Sequence, residues 1–130
     1  LINLGGNVVA HGEKPGGIAW NIGIRDPRDE NSIVGAVPLC DVSAVTSGIY
    51  ERCCEVNGKF YHHILSPETG MPVETDAAGA TVIADRSVDA EGYSTTLLAL
   101  GTARGLAFAR EHPAIRKAIF VTCNGDVLES

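Results

Sequence analysis

Four short stretches of this sequence hold side chains that could move protons or hold cations and phosphates. The first is Tyr61-His62-His63-Ile64-Leu65-Ser66-Pro67-Glu68-Thr69-Gly70. Adjacent histidines in an extended segment point to opposite faces, so at most one of them lines a given pocket. An imidazole with a free pKa of about 6.5 suits proton transfer at the mouth of a loop shaped by proline and glycine. The same residue type also serves as a hydrogen-bonded structural group. The second stretch holds Asp89, Glu91 and Thr95. On a helix, Glu91 and Thr95 are four positions apart and share a face. A carboxylate and a hydroxyl are hard oxygen donors of the kind Mg²⁺ takes together with substrate phosphates. The plain alternative is a solvated Glu91, with the threonine hydroxyl bonded back to its own helix. The third and fourth are turns, Gly5-Gly6-Asn7 and Thr46-Ser47-Gly48. Their small residues allow backbone amides and hydroxyls to approach a ligand closely, and both also read as ordinary turns.

These residues need a scaffold, and the first two-thirds of the chain reads as strands separated by turns. Apolar or alternating runs fall at Leu1–Leu4, Ile18–Ile24, Ile33–Leu39, Val42–Thr46, Arg52–Val56 and Lys59–His63. Asp29–Asn31 reads as a polar link, and Asn57-Gly58 is a strong two-residue hairpin signal. Ala77–Ala84 is apolar throughout, as expected of a buried central strand. The period then changes. Ser87–Leu100 reads as a helix stopped by Gly101, and Thr102 as the cap of a second helix running through Ala109 before Pro113. Lys117–Thr122 and Val127–Leu128 flank Asn124-Gly125 as a terminal hairpin. This order predicts an α+β fold: a mostly antiparallel sheet, two helices packed on one face, and a C-terminal hairpin.

A chain of 130 residues suits one domain. Ten Lys and Arg against sixteen Asp and Glu give a net charge of -6, which argues against a nucleic-acid or anionic membrane surface. A phosphate-bearing ligand would then be held by backbone amides, helix ends or a metal ion. No apolar run is long enough to cross a bilayer as a helix. The chain opens at Leu1 without a signal-peptide pattern, and its single methionine is Met71. The expectation is a piece of a longer protein. Cys40, Cys53, Cys54 and Cys123 lack a zinc-binding spacing and read as small core side chains, with disulfide pairing the alternative that sequence leaves open.

Taken in order, INLGGN (2–7), IGIRDP (22–27), TSGIYER (46–52), NGKFYHHILSPETGMPV (57–73), ATVIAD (80–85) and SVDAEGYSTTLLALG (87–101) carry a resemblance across essentially the whole chain. The sequence resembles the FAD:protein FMN transferases, the ApbE-like flavin transferases formerly called thiamine-biosynthesis lipoproteins. It corresponds to the C-terminal portion of their single domain. The resemblance implies Mg²⁺-dependent transfer of FMN from FAD to a Ser or Thr hydroxyl of an acceptor protein, with release of AMP. It implies His63 as the catalytic histidine and Glu91 and Thr95 as metal ligands. Flavin-nucleotide contacts would come from Gly5, Gly6, Asn7, Thr46, Ser47, Gly48, His63 and Ile64. The implied partners are FAD and a flavin-acceptor protein, with room for a homodimer. The implied location is the cell envelope, on the periplasmic side, with the full-length protein anchored to the membrane through an N-terminal lipid.

The sequence departs from the family pattern in places. Ser66 stands where Asp is usual before the proline, and Glu91 where Asp is usual. The extra methylene of Glu91 displaces its carboxylate by about 1 Å, a distance that matters for rate. A GGIAKGY-like helix, which the family uses for another metal ligand, is expected upstream of Leu1. Asp76-Ala77-Ala78-Gly79-Ala80-Thr81 looks like an acceptor motif but is one residue short, and Thr81 falls within the expected buried strand. Two other readings stand beside FMN transfer: an FAD-binding or FAD-pyrophosphatase relative, and an interaction domain that keeps only the fold.

Overall fold

The computed structural model describes residues 1–130, the side chain of Glu30 excepted. Ten strands and two helices follow one another as β1 (Ile2–Asn3), β2 (Asn7–Ala10), β3 (Trp20–Asp26), β4 (Asp29–Leu39), β5 (Val42–Gly48), β6 (Cys53–Val56), β7 (Lys59–His62), β8 (Ala77–Ala84), α1 (Ser87–Leu100), α2 (Thr102–Glu111), β9 (Lys117–Thr122) and β10 (Val127–Glu129). Six of the strands form one sheet in the order β1-β2-β5-β8-β9-β10, with every neighbouring pair antiparallel. The architecture is the α+β arrangement expected from the sequence, with two helices against a mostly antiparallel sheet and a β9–β10 hairpin at the C-terminus.

Strand β8 sits at the centre because all eight of its residues can be buried. Its side chains alternate between two cores, as the period of a strand requires. Ala80, Val82 and Ala84 join Val45 and Phe120 beneath Ala90, Leu97, Leu98 and Ala109 of the helices. Ile83 faces the other way, with Ala44 and Ile119, and meets Ile24, Val37 and Leu39. Those last three belong to the β3–β4 ribbon, which covers the sheet face away from the helices. The hairpin β6–β7 stands apart as its own two-stranded ribbon. Its turn residues Asn57 and Gly58 take φ of 53° and 75°, the two left-handed conformations that a tight hairpin with strand-compatible twist needs.

Several local expectations are corrected. Asp29–Asn31 is not a link but the first part of β4, because the chain turns at Pro27-Arg28 and pairs at once, Asp26 opposite Asp29. Strand β2, only four residues between glycine turns, was not foreseen. The cysteines are not core: Cys53, Cys54 and Cys123 are exposed and Cys40 is half-buried, all as free thiols. Cys53 and Cys54 lie on β6, where no second layer covers the ribbon.

Thr102 is not the cap of α2 but its first residue, and the cap comes from a distant part of the chain. Asp76 accepts a hydrogen bond from Thr102 N at 2.8 Å and another from the Thr102 hydroxyl. Gly101 makes the approach possible. It sits at φ 76°, ψ 175°, a region open essentially to glycine, and a Cβ there would meet Asp76 Oδ1 at 2.8 Å. The Thr102 hydroxyl and amide hold the Asp76 carboxyl below its ordinary value of 3.8. A carboxylate whose folded pKa is depressed stabilises the fold above its unfolded pKa, and that contribution fades as pH falls through the folded value. We therefore expect Asp76→Ala to lower stability by about 0.5–2 kcal/mol at pH 7, the scale of a lost helix cap. In urea titrations the gap between parent and variant should narrow as pH falls below 3.8.

Candidate functional site

Three elements bring the candidate residues together. The β1–β2 turn places Gly5 and Gly6 at φ 72° and 94°. It closes on itself through Leu4 N donating to Asn7 O at 2.8 Å and is tied to β5 by Thr46 N donating to Gly6 O at 3.1 Å. The end of β5 supplies Thr46, Ser47 and Gly48, and the second and third turns of α1 supply Glu91 and Thr95. These residues, with Asn7 and His63, line one cavity of about 350 Å³.

The face that α1 shows the cavity is set by the face it buries. Ala90, Ser94, Leu97 and Leu98 are packed onto the sheet. Glu91 and Thr95 follow Ala90 and Ser94 by one position each, so they emerge at the edge of the buried stripe, over the end of β5. Both are exposed, and both are held. Asn7 Nδ2 donates to Glu91 Oε2 at 2.8 Å, while Asn7 Oδ1 accepts from Ser87 Oγ at 2.9 Å. The amide of Asn7 thus spans from the start of α1 to the Glu91 carboxylate, a structural task in addition to its place on the cavity wall. Ser47 Oγ lies 2.8 Å from Ser94 Oγ and 3.0 Å from Thr95 Oγ1. The hydroxyl of Thr46 is paired with Thr81 Oγ1 at 2.8 Å, which also fixes Thr81 inside the sheet.

The two histidines separate as strand geometry requires. His62, at the end of β7, is buried. Ile64 N donates to its Nδ1 at 3.3 Å, so the proton resides on Nε2, which faces Val73 O at 3.1 Å. Both ring nitrogens are committed. His63 is exposed and opens onto the cavity. Ile64 departs from expectation: its side chain is in the core, its N–H goes to His62, and its carbonyl accepts from Val73 N at 3.0 Å. It offers the cavity no group.

Glu51 and Arg52 also line the cavity and were missed as site residues. Their signal was their place at the end of the TSGIYER stretch (46–52), where the chain turns from β5 towards β6. Arg52 adds a cationic residue to a cavity wall that otherwise includes two acidic ones, Glu51 and Glu91. Among the described residues, no three His, Cys, Asp or Glu side chains converge on one point. A cation here would rest on two protein oxygens, Glu91 and Thr95, with its remaining positions filled by ligand or water, a donor set that fits Mg²⁺. A larger groove of about 1000 Å³ lies beyond β7, lined by Tyr50, Phe60, His62, Met71 and Val73. Of the first nominated stretch, His62, Ser66 and Thr69 line this groove, while His63, Glu91, Thr95 and the two turns line the smaller cavity.

Comparison with known proteins places this cavity in context. The ApbE family's sequence pattern matches residues 1–120. An FAD:protein FMN transferase of Klebsiella pneumoniae is 42% identical over 131 aligned residues, covering 100% of this chain and 39% of its own length. The corresponding protein of Treponema pallidum is 40% identical, covering 93% of this chain and 36% of its own. Among solved structures, an ApbE protein of Thermotoga maritima superposes with a TM-score of 0.79 at 31% identity, over 92% of this chain and 38% of the other. The apo flavinyl transferase ApbE of Pseudomonas stutzeri gives 0.74 at 36% identity, over 98% of this chain and 39% of the other. The chain thus spans about two-fifths of the length of these relatives.

The contrast between the histidines leads to an expected outcome in urea titration. His62→Ala should cost about 1–3 kcal/mol, because it leaves a buried amide and carbonyl without partners. His63→Ala, at an exposed position, should stay within about 0.5 kcal/mol of the parent.

Proposed function

The chain belongs to the ApbE family, and on that premise we propose that it carries part of a site that transfers FMN from FAD to a Ser or Thr hydroxyl of an acceptor protein. We take residues 1–130 as the C-terminal portion of a single transferase domain, a reading supported by the share of each relative that the chain spans. The observation that carries the proposal is the convergence of His63, Glu91, Thr95 and the two glycine-containing turns on one cavity.

In this reaction an acceptor hydroxyl attacks the flavin-side phosphorus of FAD. A new oxygen–phosphorus bond forms, the diphosphate bridge breaks, and AMP leaves. The hydroxyl proton goes to His63, which is exposed, on the cavity wall, and free of the hydrogen bonds that commit its neighbour. Arg52 sets a positive charge beside the diphosphate. In the Gly5-Gly6 turn the Gly5 amide is held by Asn3 Oδ1 at 3.1 Å, which leaves the Gly6 amide to meet a phosphate or ribityl group. Glu91 and Thr95 would hold Mg²⁺, and the ion, when bound, offsets the charge that builds on the diphosphate oxygens. Asn7 keeps the Glu91 carboxylate turned inwards, which limits the displacement that its longer side chain would otherwise bring.

The test is incubation of the full-length protein with FAD, Mg²⁺ and an acceptor domain, followed by mass spectrometry of the acceptor. Covalent FMN on a Ser or Thr supports the proposal. Free FMN and AMP would point to the pyrophosphatase reading, and unchanged FAD to a domain that keeps only the fold. His63→Ala should lower the transfer rate at least about 100-fold, the scale of a lost general base. A transfer rate equal to the parent's would remove His63 from its role.

A further inference from the structure

Beneath the cavity floor lies a hydroxyl that the proposed chemistry does not touch. Ser94 is fully buried on the inner face of α1, and its hydroxyl donates to the carbonyl of Glu91 at 3.1 Å. A serine has one proton to give. The 2.8 Å contact between Ser94 and Ser47 must therefore be Ser47 donating to Ser94. That uses the proton of Ser47, so the 3.0 Å contact between Ser47 and Thr95 is Thr95 donating to Ser47. The three hydroxyls form a one-way chain, Thr95 to Ser47 to Ser94 to the Glu91 carbonyl. At its outer end, the Thr95 oxygen meets the cavity with lone pairs alone.

We infer that Ser94 is a positioning residue that sets this proton order, and so makes Thr95 a ligand for a divalent cation and not a hydrogen-bond donor to phosphate. An oxygen whose only proton is turned inwards coordinates a cation, and it has nothing to offer an anion. With the chain reversed, Thr95 would present its proton to the cavity. Burial makes the order robust, because Ser94 has no water with which to exchange its partner. The chain also ends on the backbone of Glu91, whose carboxylate is the second donor, so one turn of α1 aligns both groups. The inference rests on the reading of Glu91 and Thr95 as the cation's protein ligands.

The experiment measures Mn²⁺ binding to the full-length protein without flavin, by calorimetry or electron paramagnetic resonance, with inorganic phosphate titrated separately. Ser94→Ala should weaken Mn²⁺ binding about fivefold, the scale of one lost hydrogen bond, and leave phosphate binding unchanged or tighter. Ser47→Ala, at the half-buried cavity wall, should do the same, and it carries the test alone if Ser94→Ala does not fold. The double variant should bind Mn²⁺ no more weakly than either single one, as expected for residues acting in one chain. Mn²⁺ binding within about 1.5-fold of the parent in both single variants would overturn the inference. So would a parallel loss of Mn²⁺ affinity, phosphate affinity and thermal stability, the signature of a merely structural serine. A parent protein that binds no Mn²⁺ in a manner lost in Glu91→Gln would remove the cation reading itself, and the inference with it.

Discussion

The seating of α1 on strands β5 and β8 fixes everything else at the site. The helix has no side-chain cap at its N-terminus, where Arg86 is extended. Its place comes from packing, as is usual for a helix of this length. Ala90, Ser94, Leu97 and Leu98 fill the space above Val45, Ala80 and Val82, and this stripe admits one rotation of the helix about its axis. Consecutive residues are about 100° apart around a helix. A slip by one residue would bury Glu91 and Thr95 beneath the helix and turn Ala90 and Ser94 outwards. Burying an unpaired carboxylate is far more costly than burying alanine, so the packing and the site chemistry select the same rotation.

Much of this was legible because local and global signals agreed. Ala77–Ala84 and Ser87–Leu100 were read with the boundaries that the structure shows, since one is uniformly apolar and the other ends at a glycine. Asn57-Gly58 located its hairpin for an equally local reason. The misreadings share a different cause. The cap of α2 comes from Asp76, 26 positions earlier, and no local pattern announces a carboxylate arriving from before the preceding strand. Strand β2 is too short for periodicity to register, yet its first residue, Asn7, tethers Glu91. The cysteines look apolar in composition, and their exposure reflects the absence of a second layer over β6, which is a tertiary fact.

The candidate residues fared better than their individual roles. The family resemblance implied that Gly5, Gly6, Asn7, Thr46, Ser47, Gly48, His63, Glu91 and Thr95 act at one place, and all of them line one cavity. Which atoms remain available there depends on hydrogen bonds that no spacing rule encodes. Asn7 and Thr46 have their side chains taken by protein partners, and Ile64 is core. The ribbon β6–β7 explains the division between the histidines. Strand β7 brings Lys59, Phe60 and His62 to the larger groove, and the next residue, His63, lines the small polar cavity. Adjacent residues of an extended chain can serve two compartments only in this way.

Charge sets the final constraint. The chain carries a net -6, and the cavity is lined by Glu51 and Glu91 against Arg52 and His63. Two carboxylates facing a diphosphate would repel it if nothing else were present, and a single guanidinium does not reverse that balance. A site with this composition takes an anionic ligand well only when a cation arrives with it, and the carboxylate then attracts the pair as a unit. The lone pairs of Thr95 serve the same end. In the proposed reading, the acidic residues do not oppose the phosphate-bearing substrate. They make its binding conditional on the metal, so the diphosphate is seated in the cavity only when the charge needed for its cleavage is already beside it.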